Sequence, residues 1–120
     1  MISVTLPLRI SNPLNGSQGR SRAGQLYRAK QRAEVRNVVR MALWPKLGGR
    51  MPASGVTVTL TRIAPRALDD DGWEAGAKAA RDGVADALGI RDNDPRVEWR
   101  YAQERGAVRE YAVRLEIAAS

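Results

Sequence analysis

The chain has 120 residues, and its 20 Lys and Arg against 13 Asp and Glu give a formal net charge of +7. It contains neither cysteine nor histidine, which excludes disulfides, zinc sites built on thiolate or imidazole, and catalysis by Ser-His-Asp or Cys-His groups. Hydrophobic residues make up 43% and charged residues 28%, the balance of an ordinary folded domain. Carboxylates that bind a hard cation such as Mg²⁺ are therefore the first candidates for any catalysis.

The excess of positive charge favours a polyanionic partner such as nucleic acid, because each neutralised phosphate releases counterions. Simple solubility is the alternative. No apolar run approaches the roughly 18 residues of a membrane span, and the N-terminus lacks the layout of a secretory signal peptide. We therefore expect a cytoplasmic protein without membrane contact.

The first predicted element is a strand with one apolar face. Ile2, Val4, Leu6 and Leu8 alternate with other residues, and Pro7 places the strand at or near a sheet edge. The following stretch, 11–19, is rich in Asn, Pro, Gly and Ser and predicts a loop.

The longest predicted helix runs from Ser21, a suitable N-cap, to about Trp44, where Pro45 is expected to end it. Its apolar positions recur at helical spacing: Val35, Val38, Val39 and Ala42. We expect the opposite side of this helix to be exposed. That side carries arginines in four-residue steps: Arg28, Arg32, Arg36 and Arg40. Only Glu34 interrupts this positive charge, so the helix faces either phosphates or solvent.

The candidate DNA contacts are basic residues of this helix, of its approach and of the connection after the second strand. They are Arg20, Arg22, Arg28, Lys30, Arg32 and Arg66.

The second half of the chain predicts a strand, a helix and two further strands. Val56, Val58 and Leu60 alternate with threonines, and an apolar helical stripe then ends at Gly89: Trp73, Ala77, Ala80, Val84 and Leu88. Two alternating runs follow, one with Val97, Trp99 and Tyr101, the other with Tyr111, Val113, Leu115 and Ile117. The short link 104–106 predicts an antiparallel hairpin between them.

Together these elements predict one α+β domain over residues 1–120. We expect a single four-stranded mixed sheet with two helices packed on one face, in the order β-α-β-α-β-β. The other face of the sheet is then polar or available to a partner subunit.

Two acidic groups flank the second predicted helix. Asp69, Asp70 and Asp71 precede it, and Asp92 and Asp94 follow it. Three adjacent carboxylates repel one another unless a cation or a helix N-terminus offsets their charge. Metal binding is one interpretation of these groups, and helix capping with a polar turn is the other.

Capping can account for part of the first group, because Asp71 and Glu74 have the spacing of a capping box. Lys78 lies four residues from both Glu74 and Asp82, the spacing of a surface salt-bridge ladder. Its alternative role is to orient a water molecule or to offset charge on a phosphate.

The segment from Leu68 to Gly106 resembles the characteristic region of RusA-type Holliday-junction resolvases. In that family an Asp-x-Asp-Asn-Leu motif opens a helix containing Asp-Ala-Leu, and a second acidic motif lies three residues before a valine. Asp69 and Asp71 match the first motif, 86–88 match the helix, and Asp94 with Val97 matches the second motif. Gly72 and Trp73 stand where the family has Asn-Leu, and Lys78 lies one turn beyond the position of the family's catalytic lysine.

The resemblance implies a homodimer, typically of phage or prophage origin, that binds four-way DNA junctions and cuts them with Mg²⁺ or Mn²⁺. It implies that Asp69, Asp71 and Asp94, with Asp92 beside them, hold the metal, and that Lys78 assists catalysis. We therefore expect a structure-selective endodeoxyribonuclease. The alternatives are a catalytically impaired protein that binds branched DNA, motivated by Gly72 and Trp73, and a generic basic interaction domain.

Overall fold

A computed structural model of the protein describes residues 1–11 and 21–120. It contains β1 (Ile2–Leu6), α1 (Arg22–Leu47), β2 (Val56–Ala64), α2 (Asp70–Leu88), β3 (Val97–Arg105) and β4 (Ala112–Ala119). The predicted order and the mixed four-stranded sheet are confirmed. Within the described ranges no helix has the length and apolar character needed to cross a membrane.

The strands lie in the order β1-β4-β2-β3, with β1 at an edge as predicted. β3 pairs in parallel with β2, and β4 pairs antiparallel with β1 and β2. The predicted β3–β4 hairpin is therefore wrong. Two strands that are joined by a crossover helix favour parallel pairing, and β2, α2 and β3 form a strand-helix-strand unit of this kind. The link then crosses the end of β2, where the Gly106 N–H donates to the Ala64 carbonyl at 2.9 Å.

The register places the apolar side chains of all four strands on one face. Val58 lies opposite Trp99 on β3 and Ile117 on β4, and the alternation continues along each strand. Both helices cover this face and share one core with it. The fully buried side chains include Val39, Leu43, Val58, Leu60, Val84, Leu88, Val113 and Leu115.

Helix α1 begins as predicted, because the Ser21 hydroxyl accepts a hydrogen bond from the Gly24 N–H at 2.9 Å. It continues past Pro45 to Leu47, and Gly48 closes it in the left-handed conformation with φ 57°. A proline in the last turn removes one helical hydrogen bond without ending the helix.

The buried side of α1 differs in part from the predicted one. Val39, Leu43 and Leu47 are buried in four-residue steps, whereas Val38 is exposed. The prediction gave the last turns too little weight, because it ended the helix at Trp44.

Helix α2 is capped by Asp69, whose Oδ1 accepts a hydrogen bond from the Gly72 N–H at 2.9 Å. The capping interpretation of Asp71 is therefore wrong. Gly89, with φ 72°, closes the helix as predicted. The predicted apolar stripe is buried, and Trp73 is 2% exposed.

Candidate metal-binding and nucleic-acid-binding site

The start of α2 is fixed to β3 by the side chain of Gln103. Its Oε1 accepts from the Leu68 N–H at 2.8 Å, and its Nε2 donates to the Leu68 carbonyl at 2.7 Å. The next three residues, Asp69, Asp70 and Asp71, are exposed. Asp69 is the cap, and neither Asp70 nor Asp71 pairs with a cation in the described part of the chain. These carboxylates are therefore open to a ligand.

A cleft of about 260 Å³ lies between the first turns of α2 and the second half of β3. It is lined by Asp70, Trp73, Glu74, Tyr101, Ala102 and Gln103. Asp70 and Glu74 stand one turn apart on α2, and the buried indole N–H of Trp73 has no hydrogen-bond partner among the described residues. The cleft is thus lined by two acidic residues. Asp70 and Glu74 were not predicted as a pair, although their four-residue spacing could have indicated it.

Lys78 joins α2 to the loop that follows it. Its Nζ lies 2.6 Å from Asp82 Oδ1 and 2.6 Å from Asp92 Oδ2. Of the predicted salt-bridge ladder, the contact with Asp82 is confirmed, while Asp92 takes the place expected for Glu74. The Asp92 carbonyl also accepts from Arg81 NH2 at 2.8 Å and from Trp99 Nε1 at 3.0 Å. The loop is therefore held against the middle of α2.

These contacts shift the pKa values of both Lys78 and Asp92. Burial lowers the pKa of Lys78, but the hydrogen bonds to Asp82 and Asp92 outweigh it and leave that pKa raised. The hydrogen bond from Lys78 lowers the pKa of Asp92, against a smaller effect of burial. The pair is therefore charged at neutral pH.

The carboxylate of Asp94 is hydrogen-bonded to Arg96. Arg96 NH2 donates to Asp94 Oδ2 at 2.8 Å, while Nε at 3.1 Å and the backbone N–H at 2.9 Å donate to Oδ1. These bonds lower the pKa of Asp94 to about 2, and its side chain is 15% exposed. Its oxygens are thus already satisfied by a neighbouring residue.

The structure does not bring the two acidic groups together. The start of α2 lies beside Gln103, whereas Asp94 precedes Val97, the first residue of β3. The six-residue span from Val97 to Gln103 covers about 20 Å along the strand. Among residues 1–11 and 21–120, no three acidic side chains form a group that could hold a metal ion. Of the four predicted ligands, Asp69 and Asp71 lie together at the start of α2, and Asp92 and Asp94 lie together in the loop after it.

The predicted basic residues are distributed over two regions. Arg22, Lys30 and Arg32 are exposed on the first half of α1, and Arg28 is half-buried. Arg66 is exposed and lines a second cleft, beside Arg62 and Arg105. Arg20 lies outside the described residues.

The arginine stripe of α1 was expected to be exposed, but the structure shows that it is not wholly so. Arg36 instead forms an ion pair with Asp86 of α2, with Nε and NH2 at 2.7 and 2.8 Å from the two carboxylate oxygens. The hydrogen bond to Asp86 raises the pKa of Arg36 despite opposing burial. Arg40 NH2 donates to Asn37 Oδ1 at 2.8 Å. Arg36 therefore joins the two helices, whereas the bond of Arg40 lies within α1.

A comparison of the sequence with models of protein families found no match, and a comparison with curated proteins found no similar sequence. The resemblance to the RusA family stays a prediction.

Proposed function

We propose that the chain is a Mg²⁺-dependent endodeoxyribonuclease, with Mn²⁺ as a substitute, that cuts four-way junctions or other branched DNA. The observation that carries this proposal is the row of exposed carboxylates at the start of α2, which form no ion pair within the described residues, in a chain of net charge +7. Such a row is unfavourable by itself and is stabilised by a bound cation. A basic chain supplies the attraction for the phosphate backbone.

The exposed carboxylates of Asp69 and Asp71 fit a hard cation. Mg²⁺ commonly uses one or two protein carboxylates and completes its shell with water and substrate phosphate. When bound there, the metal supplies neutralisation of charge on the phosphate and activation of water. Asp69 Oδ1 already caps the helix, so Asp71 is the ligand with the fewest competing bonds.

The remaining predicted site residues have different roles in this proposal. Lys78 holds Asp92 against α2, and it contacts the loop rather than the start of the helix. Asp94 is bound by Arg96 and lies about 20 Å along β3 from the start of α2, so it is not a ligand of a metal held by Asp71 in this proposal. The exposed basic residues of α1, with Arg66, bind the DNA backbone by charge.

The exposed end of α1 supports the proposed homodimer. Val38, Met41 and Trp44 are 41%, 61% and 49% exposed, and they recur every three residues along the outer side of the helix. This spacing is symmetric about Met41, so a two-fold axis there sets Met41 against its own copy and Val38 against Trp44 of the partner. We propose that two copies pair through this surface.

A second candidate function is the binding of branched DNA without cleavage. The pairing of Asp94 with Arg96, about 20 Å along β3 from the start of α2, favours it, because a nuclease needs its ligands to converge. This candidate keeps the basic surface and loses only turnover.

The test uses a labelled four-way junction. The wild type should nick it in Mg²⁺ or Mn²⁺, and Asp71→Asn should abolish nicking while leaving junction binding in EDTA unchanged. Glu98→Gln, the same change at an exposed site on β3, serves as the control and should cut like the wild type. Bound but intact junctions, forks and flaps in both metals support the second candidate. Absence of both binding and cutting rejects both.

A further inference from the structure

A second cleft lies at the carboxyl ends of the parallel strands β2 and β3, and its volume is about 380 Å³. Its lining includes Arg62, Arg66, Gln103, Glu104 and Arg105. Ligands of sheets with parallel strands commonly bind at this end of the strands. Three of the lining residues are arginines, so the cleft is suited to an anion.

Arg62 is the only buried charged side chain among the described residues, at 8% exposure. It lies on the helix-covered face of β2, where neighbouring positions carry apolar side chains, and its register partner on β3 is Gln103. A buried charge is costly unless an opposite charge or a full set of hydrogen bonds compensates it.

The contacts of Arg62 are all with neutral oxygens. Its Nε donates to the Ile10 carbonyl at 3.0 Å, and its NH1 donates to the Arg66 carbonyl at 2.7 Å and to Gln103 Oε1 at 3.5 Å. No carboxylate in the described ranges pairs with it. Its NH2 has no hydrogen-bond partner among the described residues. A fixed guanidinium thus keeps one donor group free.

The surroundings add to the positive charge. Arg66 and Arg105 are exposed at the cleft, and Arg9 is close enough to add to the effect of burial, which lowers the pKa of Arg62. Glu104 is the one acidic residue lining the cleft, and its carboxylate is 3.0 Å from Arg114 NH1. The arginines therefore outnumber the acid that could neutralise them.

We infer that this cleft binds a phosphodiester group of a DNA strand, with Arg62 as the fixed donor and Arg66 and Arg105 as flanking contacts. The inference deepens the proposed function and rests on it for the identity of the strand as substrate. Guanidinium groups match phosphate oxygens in geometry and remain charged throughout the accessible pH range.

The position of Gln103 favours a strand over a free phosphate ion. Gln103 lines both this cleft and the acidic cleft beside Asp70, so the two clefts share one lining residue. A polymer gripped by the arginines can extend directly past the carboxylates at the start of α2. A small ion would use the basic cleft alone.

The experiment measures DNA binding in EDTA, where no metal-dependent cleavage occurs. A fluorescent single strand and a fluorescent four-way junction are titrated at several salt concentrations with Arg66→Gln, Arg105→Gln and the wild type. Each variant should lower the salt-dependence slope by roughly 0.7 for the single strand and 0.9 for the junction, the loss of one phosphate contact. Arg91→Gln removes the same charge from an exposed site before β3 and should leave the slopes unchanged.

Arg62 itself is followed by NMR, because its removal could unfold the protein. The Nε–H signal of Arg62 in the wild type should shift on addition of the single strand, and this shift should weaken in Arg66→Gln. Unchanged slopes in both cleft variants overturn the inference. A shift of the Arg62 signal with inorganic phosphate alone, and not with the single strand, also overturns it. Junctions that are bound with the predicted slopes but never cut in Mg²⁺ or Mn²⁺ reject the nuclease and leave the phosphate site standing.

Discussion

The guanidinium of Arg36 and the carboxylate of Asp86 form two parallel hydrogen bonds, at 2.7 and 2.8 Å, that join α1 to α2. We expect Asp86→Asn to lower the free energy of unfolding by roughly 0.5 to 1 kcal/mol, the upper part of the range for surface ion pairs. Arg36 is 51% exposed, and solvent screening keeps the effect small. Urea denaturation at pH 7 measures it, with Glu34→Gln on the exposed side of α1 as the control.

The same pair makes stability depend on pH. The hydrogen bond from Arg36 lowers the pKa of Asp86 from 3.8, so its contribution is present above that value and is lost as pH falls through the pKa of the folded state. The stability difference between wild type and Asp86→Asn should therefore shrink in acid. A constant difference from neutral pH down to the acid limit contradicts the ion pair.

Gly83 of α2 packs closely against α1. A Cβ there would be 2.6 Å from the Arg36 carbonyl and 2.8 Å from Val39 Cβ. Gly83→Ala should lower the free energy of unfolding by about 1 to 3 kcal/mol, because the helices must separate to admit the methyl group. Gly76→Ala in the same helix is the matched control and should gain up to about 1 kcal/mol from helix propensity. Thermal and urea unfolding compare the two, and equal stabilisation by both changes speaks against the close approach.

Arg96 decides whether the carboxylate of Asp94 is available. Arg96→Ala should raise the pKa of Asp94 from about 2 towards 3.8, since the side-chain hydrogen bonds that lower it are removed. A carboxyl ¹³C titration by NMR measures this shift. Arg100→Ala, which removes a partner of Glu98, should leave the Asp94 titration unchanged. An Asp94 pKa that stays at about 2 in Arg96→Ala contradicts the role of these hydrogen bonds.

Met41 lies at the centre of the proposed dimer surface. Met41→Glu should convert the dimer to a monomer, because it places two like charges against each other across the two-fold axis. Light scattering after size exclusion measures the mass. Val108→Glu, the same kind of change at a residue that is 85% exposed, should leave the mass unchanged. A monomeric wild type removes the proposal.

The sequence predicted the elements well because each rests on local chemistry. Ser21 and Gly89 mark helix ends through side-chain and backbone bonds that form within a few residues. Alternation also identified every strand. It carries no information on which strands pair, so the short link after Arg105 suggested a hairpin that the β2-α2-β3 unit overrides.

The candidate site was harder to predict because it depends on distances that local patterns do not contain. Asp69 and Asp71 are neighbours in the chain and remain so in the fold. The position of Asp94 depends on the length of α2 and on Arg96 two residues away, which binds it first. In the sequence, Arg62 is one residue of an alternating strand pattern. Only the register reveals that its charge is buried beside Gln103.

The sheet ends on β3, a nine-residue strand that pairs only with β2 in the part of the chain described. An open edge of this length invites another strand to add to it, the first step towards fibrils. Glu98, Arg100, Glu104 and Arg105 place charges of both signs along β3 and oppose that addition. Strand addition at this edge is therefore disfavoured, and the proposed dimer would join two copies through a helical surface instead of through backbone pairing.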